Sequence, residues 1–466
     1  MVFETAGGQG HFAFWQNPIF YARAKRTRSV VLVSVDTLRP DHLGCYGYRR
    51  ETSPAIDALA EDGALFLNTY ASSPWTLPSH VSLLTSLNSV HHQVYYENDK
   101  MAHDQITLAD LMRAGGFMTA AFTDGGFLSR VYGFSKGFDS YREREDGVLG
   151  QDSAMRIWRM ASRWLDGNRQ KDFFLFLHTY QPHDPYACPG PYATMFLEDD
   201  PVWRSLNLMG RLGGYSGIYR ELTEKERRNI IGLYDGEIRY TDEALVGPLV
   251  GKLKELGLYD SSLIILTSDH GEEFFDHHSW THGHHLYDEA LKVPLIMKFP
   301  EGRFKGQRLG SIVRLIDIMP TLLEEFGIPP SGPALDGKSL LPVLRGRERG
   351  DRTFLADVGD NILKSHVGRK IAMNRGKDKM ILNKPCRPED LLFFASPPRP
   401  VPPVELFNLG EDPQEKRNLA DEKSAVARAL NDRVVAVYKN AGRRKPVKVE
   451  LDEQLKERLR ALGYIR

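Results

Sequence analysis

Cysteine is scarce in this sequence of 466 residues, which has only Cys45, Cys188 and Cys386. The three lie far apart, form no CxxC pair, and are odd in number, so at least one stands outside any disulfide. The pattern argues against a disulfide scaffold. It is typical of a protein from a reducing compartment.

Long hydrophobic runs are absent as well. No segment approaches the about 18 consecutive apolar residues that a membrane-spanning helix needs. Residues 1–29 lack the basic start, apolar stretch and small-residue cleavage site of a signal peptide. We therefore expect no transmembrane segment and a cytoplasmic location.

A charge excess of either sign is missing too. Lys plus Arg and Asp plus Glu number 61 each. Proteins that bind nucleic acid or anionic membranes through bulk charge carry a basic excess, so we expect neither partner. The composition, 41% hydrophobic and 26% charged, is that of a soluble globular protein.

The sequence does contain a series of short apolar runs separated by helical patterns. The runs lack strict alternation, as do strands of a parallel sheet covered on both faces; they are VVLVSVD (30–36), FMTAAFTD (117–124), DFFLFLHTY (172–180), LIILTSD (263–269) and VPLIMKFP (293–300). A long helical pattern opens with Thr223 and Glu226 spaced as a capping box and closes at Gly257. The chain therefore predicts an α/β fold, with a mostly parallel central sheet and helices on both faces.

The pattern changes after about residue 345. GRKIAMNRGKDKMILN is typical of a hairpin that turns near Asn374, Arg375 and Gly376. A proline-rich stretch, ASPPRPVPPVE, then precedes the amphipathic helical pattern EKSAVARALNDRVVAVYKN. The predicted domains are an N-terminal extension (1–29), a catalytic α/β domain (30–345), a smaller α+β domain with an antiparallel sheet (346–445) and a helical tail (446–466).

Polar residues follow three of the predicted strands. Asp36 ends the first strand, Asp269 ends a later one and precedes His270, and His183 comes shortly after a third. Taken singly, each is an ordinary turn or loop residue. Because ligands of open α/β sheets bind beyond the carboxyl ends of the strands, we expect these side chains to converge.

Thr76 stands at the start of a helical pattern, since Pro78 suits a first helical turn and leucines follow at helical spacing. Its hydroxyl would lie at the positive end of a helix dipole, which favours an anion or a developing alkoxide. The simpler interpretation is an ordinary N-cap, for which threonine is a preferred residue.

Two carboxylates, a histidine and a hydroxyl together form a donor set that suits a divalent metal ion. A cation bound to the Thr76 oxygen would lower the pKa of the hydroxyl and make it a nucleophile. The same charge would stabilise a transferring phosphoryl or sulfuryl group. A histidine opposite would protonate the leaving alcohol, an effect of about 10²- to 10⁴-fold.

The chain resembles the sulfatase family of the alkaline phosphatase superfamily in an ordered series of segments. They are VSVDTLRPDHLGCYGY, TSPAIDALAEDGALFLNTYASSPWTLPSHVSLLTSL, HTYQPHDPY, YDGEIRYTDEAL, SDHGEEF, HGHHLYDEALKVPLIM and ELFNLGEDPQEKRNLA. The resemblance implies an α/β main domain, a smaller C-terminal domain with an antiparallel sheet, and one divalent metal ion.

The resemblance also assigns residues. Asp36, Asp269 and His270 match metal ligands, and Thr76 matches the nucleophile, whose oxygen also faces the metal. His183, in QPHDPY, matches a histidine that contacts the transferred group or the leaving oxygen.

Further positions follow from the same resemblance. His282 or His284 falls where many sulfatases place a lysine against the sulfate, and the sequence leaves that choice open. His80 follows the nucleophile by four residues, on the same helix face, and is expected with Thr37 to contact substrate. Arg39 is expected to pair with a nearby carboxylate.

Two departures from the family pattern matter. Many sulfatases have paired acidic residues where this chain reads Asp36-Thr37, and the lost charge, together with His270, favours zinc or manganese, with calcium possible. Sulfatases of the main type oxidise a cysteine or serine in C/S-x-P-x-R to formylglycine. This chain has Thr76 there, with His80 for the arginine; threonine would oxidise to a ketone, so no formylglycine is expected.

The leading functional prediction is a metal-dependent hydrolase that cleaves a phosphate, phosphonate or sulfate ester through attack by Thr76. The substrate would be a small-molecule, glycan or lipid ester. One alternative is a transferase that moves a phosphoethanolamine- or glycerolphosphate-type group onto a glycan or lipid acceptor. The other is a non-catalytic binding module that keeps the fold. The sequence does not indicate the oligomeric state.

Overall fold

The computed structural model describes residues 28–144, 152–198, 223–332, 334–359, 368–384, 401–441 and 446–461. Most of the predicted N-terminal extension and of the proline-rich stretch lies outside these ranges. Within them, no helix combines the length and the apolar character that crossing a bilayer requires.

The strands and helices of these residues follow in chain order. The strands are β1 (Ser29–Val35), β2 (Ala64–Tyr70), β3 (Asp99–Lys100), β4 (Met118–Thr123), β5 (Ser140–Glu143), β6 (Phe173–Thr179), β7 (Ser262–Thr267), β8 (Glu273–Phe274), β9 (Trp280–Thr281), β10 (Lys292–Lys298), β11 (Gln307–Arg314), β12 (Leu355–Val358), β13 (Lys370–Arg375), β14 (Asp378–Asn383), β15 (Val404–Asn408) and β16 (Val447–Lys448). The helices are α1 (Pro54–Glu61), α2 (Thr76–Thr85), α3 (Ser89–His92), α4 (Leu108–Ala114), α5 (Ser153–Asn168), α6 (Glu224–Thr241), α7 (Gly247–Glu255), α8 (Asp288–Leu291), α9 (Ile318–Phe326), α10 (Leu341–Leu344), α11 (Ser424–Asn440) and α12 (Glu453–Ala461).

The central sheet has eight strands in the spatial order β11-β2-β10-β7-β1-β6-β4-β5. β10 runs antiparallel to both of its neighbours, and every other adjacent pair is parallel. The predicted mostly parallel sheet is therefore confirmed. Each of the five apolar runs identified in the sequence overlaps one of its strands, with the start of the strand within one residue of the start of the run.

Both faces of this sheet are covered, which explains why its strands lack strict alternation. Val30 and Leu32 of β1 pack in one hydrophobic core with α2, α4 and α9. Val31 and Val33 pack in a second core with α1, α5, α6 and α7. Because successive side chains of a strand point to opposite faces, both sets are apolar and the run is continuous.

The long helical pattern after Thr223 forms two helices that a π-helical turn joins. Its predicted capping box is present, since Thr223 and Glu226 each accept the backbone N–H of the other. The π turn spans Asp242–Val246. Pro248, near the start of α7, has no amide hydrogen for an intrahelical bond, and the wider turn fits that interruption.

The C-terminal part has an antiparallel sheet in the order β12-β13-β14-β15, as predicted. β13 and β14 form the predicted hairpin, in which Arg375 pairs with Asp378 across the turn. α11 packs on this sheet around a separate core that includes Leu430. The chain then returns to the main domain, where β16 pairs with β3 and Leu459 of α12 joins the first core.

A buried ionic cluster ties the small sheet to the main domain. The Nζ of Lys379, on β14, lies 2.8 Å from a carboxylate oxygen of Asp288, on α8, and 2.8 Å from one of Glu415. Glu415 also accepts the Asp288 N–H at 2.6 Å, and the Tyr70 hydroxyl donates to Asp288 at 2.8 Å. The Lys379 side chain is fully buried. The cluster therefore fixes α8, which directly follows the histidine-rich stretch of the chain.

Replacing Lys379 by methionine is expected to lower the free energy of unfolding by about 3–5 kcal/mol, because two carboxylates would lose their buried cation. Lys377→Met is the matched control, since this side chain is 42% exposed and lies 3.6 Å from Asp351. The control is expected to change the value by no more than about 0.5 kcal/mol. Urea unfolding monitored by circular dichroism measures both. Equal losses in the two variants would contradict the prediction.

Candidate active site

Two adjacent parallel strands bring the predicted metal ligands together. β1 pairs with β7 so that Ser34 lies opposite Thr267; Asp36 directly follows β1, and Asp269 comes two residues after the end of β7. One ligand atom from each of Asp36, Asp269 and His270 lies within 4.8 Å of the others. All three side chains are fully buried. The convergence expected at the carboxyl ends of the strands is therefore confirmed for Asp36, Asp269 and His270.

The charges of this set suit a cation. Asp36 Oδ1 and Asp269 Oδ2 are buried and have no hydrogen-bond partner among the described residues. Burial raises the pKa of both carboxyls; Glu272 adds to this at Asp36, and Asp36 adds to it at Asp269. A divalent ion would compensate the two negative charges and supply the missing contacts. The oxygen and nitrogen donors therefore fit the metal that the resemblance implies.

Thr76 is the first residue of α2, and Trp75 occupies the N-cap position in an extended conformation. The interpretation of Thr76 as an ordinary N-cap is therefore wrong. Its Oγ1 donates to Asp36 Oδ2 at 3.3 Å and lies 3.3 Å from His270 Nε2. The hydroxyl thus stands among the metal-donor atoms, at the positive end of the helix dipole.

His80 lies one turn further along α2 and is fully buried. Its Nδ1 donates to the Thr76 carbonyl at 3.0 Å and lies 3.3 Å from Asp269 Oδ2. Because a carbonyl only accepts, the proton of the neutral His80 ring is on Nδ1. Nε2 therefore accepts from the Ser34 hydroxyl at 3.0 Å. Both ring nitrogens of His80 thus form hydrogen bonds with protein groups. A contact with substrate would require one of these bonds to break, and it stays a prediction.

Thr37 has a left-handed backbone conformation, with φ of 55°. Its hydroxyl donates to the Asp36 carbonyl at 2.8 Å. Its backbone N–H counteracts part of the rise that burial causes in the pKa of the Asp269 carboxyl. The residue therefore holds the backbone of one predicted metal ligand and favours the charged form of another. Its predicted contact with substrate stays a prediction.

The structure separates the two histidines that the sequence left as alternatives. The His282 ring lies 4.4 Å from that of His270 and 4.9 Å from that of His183, measured between centroids. His284 turns back on its own loop, where Nε2 donates to the Trp280 carbonyl at 2.9 Å. Among the predicted catalytic histidines, His183 and His282 therefore lie beside the metal-donor set.

Two further buried residues of the site, His178 and Glu272, are not predicted from the sequence. His178, within β6, is buried with Nε2 3.4 Å from Asp36 Oδ2. Glu272 is buried two residues after His270, and its Oε1 lies 2.9 Å from His282 Nδ1. The sequence signal for His178 is a histidine inside an otherwise apolar strand. The signal for Glu272 is its position close after Asp269 and His270.

Arg39 pairs with carboxylates, as expected. Its guanidinium contacts both carboxylate oxygens of Asp41, at 2.7 and 3.0 Å, and a carboxylate oxygen of Asp276 at 2.9 Å. It also donates to the Glu272 carbonyl at 2.8 Å. Arg39 therefore anchors the segment that follows His270.

Comparisons with known proteins identify the family of the chain. The family model described as Sulfatase matches residues 28–328. The multifunctional alkaline phosphatase superfamily protein PehA of Trinickia caryophylli is 27% identical over 86% of this chain and 92% of its own. Arylsulfatase K of Gallus gallus is 25% identical over 84% of this chain and 79% of its own.

Two solved structures share the fold. The phosphonate monoester hydrolase of Agrobacterium radiobacter superposes with a TM-score of 0.69 at 22% identity, covering 91% of this chain and all of the other. A protein in complex with D-glucosamine-2-N,6-O-disulfate superposes with a TM-score of 0.70 at 18% identity, covering 90% of this chain and all of the other. Since the family match extends over more than half of the sequence, the chain belongs to the sulfatase family of ester hydrolases.

Proposed function

We propose that this chain hydrolyses phosphate or phosphonate esters through covalent attack by Thr76. The observation that carries the proposal is the position of Thr76 Oγ1, 3.3 Å from both Asp36 Oδ2 and His270 Nε2 at the start of α2. A hydroxyl among metal-donor atoms at a helix N-terminus is placed to become an anionic nucleophile.

The choice of phosphorus over sulfur rests on the chemistry of threonine. The formylglycine hydrate releases sulfate by elimination, and Thr76 cannot form that aldehyde. A threonine ester of phosphorus can instead be displaced directly by water. The names of PehA and of the phosphonate monoester hydrolase point the same way, whereas arylsulfatase K is named for sulfate esters.

Asp36, Asp269 and His270 would hold one divalent ion, with Thr76 Oγ1 as a further donor. We propose zinc or manganese, because Thr37 brings a hydroxyl where a second acidic residue would favour calcium. When bound, the ion supplies positive charge that lowers the pKa of the nucleophile and stabilises the transferring group.

Side chains of the protein accept the proton of the Thr76 hydroxyl and hold Thr76 in position. Its hydroxyl donates to Asp36 Oδ2 in this structure, so that oxygen is placed to take the proton during attack. The His80 bond to the Thr76 carbonyl holds the first turn of α2 in place. Water would then displace Thr76 from phosphorus and regenerate the hydroxyl.

Steady-state turnover by the zinc- or manganese-loaded full chain tests the proposal. The substrates are nitrophenyl phosphate, a nitrophenyl phosphodiester, a nitrophenyl phosphonate monoester and nitrophenyl sulfate, each with and without glycerol. We expect kcat/KM for at least one phosphorus ester to exceed that for the sulfate by at least about 10²-fold, the scale of one placed catalytic group. Turnover of sulfate alone would overturn the choice of phosphorus. Transfer to glycerol in place of water would identify a transferase.

A further inference from the structure

We propose that a basic cleft beside the Thr76 site is a second binding site, which holds an extended ligand with several phosphate or sulfate groups. The cleft has a volume of about 740 Å³, within the usual range of ligand pockets. Its lining comes from β2, β10, β11, α6, α8 and the segment that follows β15. The cations of this basic cleft are Arg39, Arg227, Lys292, Arg308 and Lys416.

The charges of the basic cleft do not balance. Each of its four carboxylates already has a partner: Asp41 and Asp276 pair with Arg39, Asp288 with Lys379, and Glu289 with His277. Three of its cations have no carboxylate partner among the described residues; they are Lys292, Arg308 and Lys416. The cleft therefore carries an excess of positive charge, which an anionic ligand would compensate.

Arg227 supplies a second observation that points to a ligand. Its Nη2 lies 3.4 Å from a carboxylate oxygen of Asp276. Its Nε is buried and has no hydrogen-bond partner among the described residues. A buried donor without an acceptor is unfavourable, and guanidinium groups bind the oxygens of phosphate and sulfate strongly. An anionic oxygen in the cleft would therefore complete the contacts of this side chain.

The cations are spread along the sheet. Arg308 pairs with Leu65 of β2, and Lys292 pairs with Tyr70, so their backbones lie five residues apart along that strand. At the rise of a β-strand, this separation is about 17 Å. A chain with several anionic groups matches such a spacing better than one small ion does.

A smaller cavity extends the basic cleft. Its volume is about 530 Å³, and Asp41 and Tyr46 line both spaces. It adds three arginines, which are Arg49, Arg50 and Arg228. Arg49 is exposed and has no carboxylate partner among the described residues. The positive surface thus continues beyond the cleft, as a long anionic ligand requires.

A wall of protein separates the basic cleft from the Thr76 site. None of the proposed metal ligands lines the cleft. Arg39 does, and it donates to the Glu272 carbonyl at 2.8 Å. The N–H groups of Gly271 and Glu272 donate to carbonyls of α8. The backbone that follows His270 therefore lies between the two sites, and an anion in the cleft leaves the metal-donor set open to an ester.

The lining favours an acidic chain without bases over a nucleic acid. Proteins that hold single-stranded nucleic acid stack its bases on open aromatic side chains. The rings that line the cleft are those of Tyr46 and His277. The Tyr46 hydroxyl bonds two backbone groups of the sheet, and the His277 ring is stacked on Tyr287 at 3.6 Å between centroids. The cleft therefore binds through charge, and a phosphorylated or sulfated chain is the expected class.

Fluorescence anisotropy of a short fluorescein-labelled dextran sulfate, titrated with the zinc-loaded full chain, tests the site. The double variant Lys292→Gln with Arg308→Gln removes two of the unpaired cations. We expect it to weaken binding at least about 10-fold and to lower the slope of log Kd against log salt concentration by about one, because fewer counterions are released. Turnover of nitrophenyl esters should be unchanged, because neither residue lies in the Thr76 site.

The matched control is the double variant Arg428→Gln with Lys439→Gln. Both side chains are exposed on α11, have no carboxylate partner among the described residues, and lie outside the cleft lining. The control removes the same charges and is expected to weaken binding less than about 2-fold, since distant charges are screened. If the cleft variant does not fold, Arg49→Gln repeats the test at an exposed position and should weaken binding about 3-fold.

Equal weakening in the cleft and control variants would overturn the inference, because general charge would then account for the binding. Loss of binding on removal of zinc, with the cleft variant unaffected, would also overturn it, since the ligand would lie at the metal. Tighter binding of an oligothymidylate of equal charge would refute the ligand class.

The bound groups belong either to a remote part of the substrate or to a separate molecule, and turnover distinguishes these sources. A higher KM for phosphorylated dextran in the cleft variant, with the KM for nitrophenyl phosphate unchanged, identifies a remote part of the substrate. Unchanged values for both identify a separate ligand. Only this comparison rests on the proposed function. Binding of dextran sulfate decides the role of the cleft even if the chain cleaves no phosphate ester.

Discussion

Thr76→Ala is expected to lower kcat at least about 10³-fold on every ester the wild type cleaves, because it removes the proposed nucleophile. The fold should survive. Thr76 is the first residue of α2 and does not serve as its N-cap, and alanine is a good helix former. Stopped turnover with an unchanged melting temperature is therefore the expected result. Mass spectrometry of the quenched wild type should detect the covalent phospho-threonine intermediate, and the variant should lack it.

Two variants complete this test. Thr76→Ser keeps a hydroxyl and is expected to retain activity within about 10²-fold of the wild type, since only the methyl group is lost. Thr85→Ala removes another buried threonine hydroxyl of α2, which donates to the Val81 carbonyl at 2.6 Å. We expect it to affect stability but not turnover. Equal rates for Thr76→Ala and the wild type would remove Thr76 from the mechanism.

Asp269→Asn is expected to weaken binding of a divalent ion at least about 10²-fold, and turnover should fall with it, because one of the two proposed anionic ligands is lost. Asparagine is nearly isosteric with aspartate, so the fold should accommodate it. Stability without metal should not fall, since the change removes the repulsion between Asp36 and Asp269. The wild type should melt higher when zinc is added, and the variant should not.

Calorimetric titration with zinc and thermal melts with and without metal measure these effects. Asp242→Asn is the control, because Asp242 is also buried and accepts from the N–H groups of Ala55 and Ile56 at the start of α1. The Asp242→Asn variant should have a changed melting temperature but the same affinity for zinc as the wild type. Full activity and full zinc affinity in Asp269→Asn would refute the assignment of this residue as a ligand.

The sequence predicted the elements of the main sheet well where burial was uniform. Strands such as β1 and β6 are continuous apolar runs because both faces are covered, and such runs are easy to identify. β11 was not predicted, since its sequence QRLGSIVR mixes polar residues and glycine with few apolar ones at the edge of the sheet. The π turn at Asp242–Val246 was also missed, because hydrophobic periodicity does not register one additional residue in a turn.

For the site, residues at strand ends were predictable and their partners were not. Asp36, Asp269 and His270 are adjacent because β1 and β7 are neighbours, which follows from the topology of an α/β sheet. The distinction between His282 and His284 depends on the path of one loop. Their spacing of two residues carries no information about which ring turns toward His270 and which returns to the Trp280 carbonyl.

The ionic cluster around Lys379 bears on how separable the two parts of this protein are. The family match ends at residue 328, which suggests that the first part could be expressed by itself. Yet a chain cut there would lose both Lys379 and Glu415, and Asp288 would keep its negative charge without a cation. Asp288 starts the helix that follows the loop of His282. Shortened versions and gene fusions of this protein should therefore retain the small sheet, because its Lys379 supplies the buried cation that pairs with Asp288.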